Sequence, residues 1–138
     1  MDEWVMERYE LAKERIAQIP DEKMAEEPYC DFFTKEAMFL QQVIHVMDHG
    51  IAGKNLEELQ EQNHELYQDI LPENYENSYG NPAYAQKMLG EYGKVFTFLY
   101  TELYGTIAYA FEKKAWDLTV VLELFLEIYS AFTQEEIP

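Results

Sequence analysis

The stretch from Asn81 to Lys113, NPAYAQKMLGEYGKVFTFLYTELYGTIAYAFEK, constrains the fold more than any other part of the chain. Asn81 can accept from free backbone N–H groups, and Pro82 suits the first helical position, where its missing N–H would have had no partner. Beyond that start, Ala85, Met88, Leu89, Tyr92, Val95, Phe96, Leu99, Leu103, Ile107, Ala110 and Phe111 recur at steps of three and four. That spacing puts them on one broad helical face, which other segments must cover. A straight helix from Pro82 to Lys113 would run roughly 48 Å. A compact domain of this length is only about 37 Å across. The helix is therefore expected to bend, and Gly90 and Gly93 are where leaving helical geometry costs least. The part from Val95 to Phe111 is read as core, and the part before it, with the tyrosines that precede it, as surface for another domain.

The remaining segments read as helices that cover this face. From Asp2 to Ile19, Val5, Tyr9, Ala12, Ile16 and Ile19 form a stripe opposite charged residues, and Pro20 stops the pattern. The charged DEKMAEEP reads as a connecting loop. A second helix starts at Pro28 and runs to about His49, with Phe33, Ala37, Leu40, Ile44 and Met47 in one row, Phe32, Phe39, Val43 and Val46 beside it, and Gly50 as its stop. Asn55 followed by Glu58 resembles a capping box and opens a third helix, with Leu56, Leu59, Leu66, Tyr67 and Ile70 inward and Pro72 at its end. The turn-rich PENYENSYG reads as the longest loop. Asp117 is a candidate cap for a last helix through Phe132, on which Thr119, Glu123, Glu127, Ser130 and Gln134 make a single polar stripe in an otherwise apolar surface. No strand alternation or internal repeat is found. The expected architecture is all-α, a bundle of about five helices with a long, bent central helix, in a single domain spanning residues 1–138.

Composition excludes several classes of function. With 48% hydrophobic and 15% aromatic residues in 138, the chain can bury one core. Its 27 acidic against 10 basic residues give a net charge of −17, which repels nucleic acid and anionic membranes. Charged or amide residues interrupt every hydrophobic run, so no membrane span is expected. The single cysteine, Cys30, allows no intrachain disulfide, and the N-terminus lacks the features of a signal peptide. These features lead to an expectation of a cytoplasmic protein.

No motif carries a complete active site. His45-Val46-Met47-Asp48-His49 places two histidines four apart with a carboxylate beside the second, near the reversed zinc-protease pattern. Asp is one methylene shorter than the Glu of that pattern and no third ligand is identifiable. The pair is read first as positive charge at a helix C-terminus, and His45 and His49 are kept only as candidate metal residues. Glu61 and His64 make one Glu-x-x-His step, where di-iron bundles need two. Glu123 and Glu127 lie one turn apart and could form an acid–base pair, but their polar stripe fits a solvated or partner-facing side better. Cys30 beside Asp31 lacks the positive surroundings of a reactive thiol. No catalytic residue is assigned.

The segment from Leu66 to Glu112 carries a run of motifs, LYQDILPENY, NPAYA, LGEYG, FLYTEL and YAFE. It resembles the N-terminal region of the clostridial metallo-aminopeptidases grouped with leucyl aminopeptidase and aminopeptidase T. The similarity extends more weakly to ERYELAKERI near the start and LELFLEIYSAF near the end, and the LGEYG step is one residue shorter here. The resemblance implies a parent hydrolase that removes N-terminal amino acids with two divalent metal ions held in a C-terminal catalytic domain. None of those metal-binding motifs falls in this sequence, so no cofactor is expected in the segment itself.

The function expected on that basis is a non-catalytic N-terminal accessory domain that docks on the catalytic domain of the same chain, assists dimerisation or limits access to the active site. The end of the sequence directly after a helix fits a fragment of a longer chain. Tyr75, Tyr79, Tyr84, Glu123, Phe125 and Glu127 are the expected interface residues, and a homo-oligomer is a possible assembly. The alternative is a free-standing acidic helical module that binds a basic or aromatic-rich protein segment.

Overall fold

The computed structural model describes residues 3–49, 56–62, 72–113 and 118–132. In chain order the helices are α1 (Glu3–Ile16), α2 (Asp21–Met24), α3 (Glu27–His49), α4 (Leu56–Gln62), α5 (Pro82–Leu89), α6 (Gly93–Lys113) and α7 (Thr119–Ser130), with 3₁₀ turns at Pro72–Asn77 and Gly90–Tyr92. Among the described residues there is no strand, and the fold is all-α.

The central stretch is broken where its length required it. Asn81 caps α5, its side chain accepting from the Ala83 N–H at 3.0 Å. Gly90 closes α5 at φ 68°, a left-handed conformation that costs a side-chain-bearing residue strain. After the 3₁₀ turn, α6 doubles back onto α5. A Cβ on Gly93 would stand 2.7 Å from the backbone of Ala85, eight residues earlier, whereas a straight helix separates such residues by about 12 Å. The close approach of the two helices therefore depends on glycine at position 93.

The core forms where α3 meets α5, α6 and α7. The α3 helix buries residues on both of its expected rows, including Phe32, Phe33, Ala37, Phe39, Leu40 and Val43. Phe32 packs edge-to-face on Phe96 at 4.7 Å and on Tyr79 at 5.1 Å. Phe33 meets Tyr129 at 5.4 Å, and Tyr29 stands edge-on to Phe96 while its hydroxyl donates to the Leu89 carbonyl at 2.6 Å. Such ring pairs add about 0.5–1.5 kcal/mol each beyond the area they bury. The α1 helix lies across α6 and α7, joined by Trp4 to Tyr109, Tyr9 to Phe125, and an Arg8–Glu102 ion pair at 3.3 Å. Thus α3 shares the organising role first given to the central stretch.

Other boundaries differ from expectation. The first helix ends at Ile16, and the charged stretch read as a loop contains α2, held by burial of Met24 and by the Cys30 thiol donating to the Met24 carbonyl at 3.1 Å. The expected third helix is described only over Leu56–Gln62, so its continuation through Leu66, Tyr67 and Ile70 lies outside the described residues, as does the expected cap Asp117. The tyrosine loop is partly 3₁₀.

Candidate functional site

The least expected group in the molecule is a carboxyl in the middle of the core. Glu36 lies one turn beyond Phe32 and Phe33 on the inward face of α3 and is only 1% exposed. Its Oε1 has no hydrogen-bond partner. Burial pushes its pKa up from 4.5 to about 8, with no neighbouring charge to offset it, so at neutral pH it is chiefly the uncharged acid.

Two phenols share its surroundings. Tyr129 from α7 is fully buried, Tyr100 from α6 nearly so, and neither hydroxyl has a hydrogen-bond partner. Burial raises the pKa of both, and a charge on Glu36 would raise each further. The Ser78 side chain, in the turn before α5, favours the Tyr100 phenolate, although the Tyr100 hydroxyl does not reach hydrogen-bond geometry with it. Gly80 lets this turn lie against the Tyr100 ring, since a Cβ there would meet the ring at 2.5 Å. The centre thus holds one neutral carboxyl and two neutral phenols where α3, α6 and α7 meet. It has three O–H groups with which to donate or exchange protons and no ionised partner. Strongly perturbed groups of this kind mark functional sites as well as structural networks.

Glu36, Tyr100 and Tyr129 are not among the residues expected from sequence to carry function, because a single acidic or phenolic side chain within an apolar helical row matches no catalytic spacing. The available signal was a lone acidic residue flanked at helical spacing by Phe32, Phe33, Phe39 and Leu40.

The residues singled out from sequence do not converge. Tyr75 is exposed at 57%, Tyr84 is half-buried, and Tyr79 is in the core with its ring 5.4 Å from that of Tyr84. Phe125 is fully buried against Tyr9 and Tyr129. Tyr79 and Phe125 therefore serve this domain's own core and are not open to a partner, because each points inward from its element. Glu123 and Glu127 are exposed on the outer side of α7. His45 and His49 are exposed at the end of α3, and Glu61 is exposed while His64 lies outside the described residues. Among the described residues, no three His, Cys, Asp or Glu side chains come together as a metal site, and no helix is long and apolar enough to cross a membrane.

The outer side of α7 carries a second feature. Val120, Leu124 and Ile128 follow one another at four-residue steps, Val120 exposed at 51% and the other two half-buried. Ile128 continues into an apolar hollow of about 300 Å³ between α1 and α7, lined also by Lys13, Ile16, Ala17, Ala131 and Phe132.

No family model, curated protein or solved structure matches this chain.

Proposed function

We propose that this chain is a non-catalytic helical accessory domain of a metallo-aminopeptidase, docking on the catalytic domain through the outer side of α7. The observation that carries the reading is the apolar stripe of Val120, Leu124 and Ile128, which leads into the hollow beside α1. Val120 is exposed and Leu124 and Ile128 are only half-buried against the core, so this side of α7 keeps apolar surface that the domain does not fully cover. The motifs between Leu66 and Glu112 that resemble the aminopeptidase N-terminal region support the choice of partner. Two metal ions, held by residues of the catalytic domain, would supply the hydrolytic chemistry there. This domain would contribute docking area, assembly of a dimer or restriction of the active-site entrance.

The test is to combine the isolated chain with the catalytic domain of such an enzyme and follow complex formation by calorimetry. Binding that is abolished by Val120→Glu with Leu124→Glu, while the helical circular dichroism is retained, supports the reading. Hydrolysis of amino-acyl substrates by this chain alone with added zinc or cobalt would overturn its non-catalytic part. The net charge of −17 favours a second reading, an independent module for basic segments. Failure to bind the catalytic domain, together with salt-sensitive binding to a basic peptide, would select it.

A further inference from the structure

The carboxyl end of α3 holds an arrangement unrelated to the docking surface. His45 and His49 are both exposed, stand one helical turn apart and bring their rings to 4.2 Å, with the ring planes inclined by 40°. The Nδ1 of His49 lies 2.9 Å from the main-chain oxygen of His45. A carbonyl oxygen can only accept, so in this contact Nδ1 carries the proton. In the neutral ring, the lone pair is then on Nε2. This is how metal-binding histidines are commonly held, with one nitrogen donating to a fixed acceptor, which sets the tautomer and orientation, and the other left to ligate.

We propose that His45 and His49 together form a binding site for a divalent transition-metal ion at the end of α3. Residues four apart on a helix have neighbouring side chains, and the rings are already in contact, so two imidazole nitrogens can be directed at one ion. Zinc–imidazole bonds are about 2.0–2.1 Å, and water can occupy the remaining positions around an ion bound at two protein atoms. Two imidazoles favour copper, nickel and zinc over magnesium and calcium, which prefer oxygen. Exposed Asp48, beside His49, and the chain's net charge of −17 add electrostatic attraction for a cation. The ion would join the last two turns of α3 and hold the helix end in place.

The experiment titrates the untagged chain separately with Cu(II), Ni(II), Zn(II) and Mg(II) by calorimetry, and follows the histidine ring signals by NMR during the zinc titration. The expected result is one saturable site, tightest for Cu(II) and absent for Mg(II), with the signals of His45 and His49 shifting together. His45→Ala and His49→Ala should each weaken binding at least about tenfold, the lower end of what even a ligand's hydrogen-bond partner contributes to metal affinity. His64→Ala should leave it unchanged. Single variants that bind as tightly as the parent chain, equal loss in His64→Ala, or a zinc titration that moves neither ring would overturn the site. Metal bound only by scattered carboxylates or the terminal amine would give the first of these results.

Discussion

Glu36 and Glu127 carry the same carboxyl on helices that pack against each other, α3 and α7, yet one is sealed in the core and the other stands in water. Residue type says nothing of this difference; position on the helix says nearly all of it. Glu36 follows Phe32 and Phe33 by one turn and shares their inward face. Glu127 lies on the turn of α7 opposite to Phe125 and Tyr129. A charge on the outer side remains hydrated, whereas a charge on the inner side loses its water without a paired cation, and the group stays protonated instead.

The largest expected effect tests the sealed member of the pair. The Glu36 carboxyl ionises at an ordinary value of 4.5 when unfolded and holds its proton to about 8 when folded. Between those values unfolding releases a proton, so stability falls as pH rises, and above about pH 8 no further loss arises from this group. The integrated change is at most roughly 5 kcal/mol, at 1.36 kcal/mol for each unit of pKa difference. Urea unfolding at intervals from pH 5 to 9 should show that decline relative to Glu36→Gln, whose amide cannot ionise. Next, Phe33→Ala removes a wall of the centre and should cost about 3–5 kcal/mol. If the space it leaves admits water to Glu36, the variant should also flatten the pH dependence, which separates a seal from simple packing. Tyr129→Phe deletes a buried hydroxyl that has no partner, and should be neutral or stabilising by up to about 1–3 kcal/mol, in contrast to the usual loss on truncating a bonded hydroxyl. The smallest effect is expected for Glu127→Gln, which should leave both the denaturation midpoint and the pH profile unchanged.

How much of this could be read from the residues depends on how locally each feature is determined. The cap at Asn81, the helical faces of α1 and α3, and the break at Gly90 and Gly93 were legible, because capping, periodicity and length are properties of neighbouring residues. The short α2 was not, since its charged sequence contains one buried apolar anchor, Met24, whose burial depends on α3 packing next to it. Tyr79 lies in a stretch with no period, and its edge-to-face contact with Phe32, far away in sequence, places it in the core. Glu36 illustrates the same limit from the other side: the pattern marks its position as inward, and only the fold, which leaves Lys94 and Lys113 of α6 exposed and brings no cation to the carboxyl, decides that it is neutral. The histidine pair was legible as a spacing, but the contact that fixes the His49 tautomer requires coordinates.

The central property of this core is that burial keeps Glu36 an uncharged acid inside the folded protein at neutral pH. A carbon-13 NMR titration of its side-chain carboxyl in the folded chain addresses that directly. A midpoint near pH 8, about the value burial imposes, is the predicted result. A midpoint near the ordinary 4.5 would show the carboxyl to be hydrated or paired, and would contradict it.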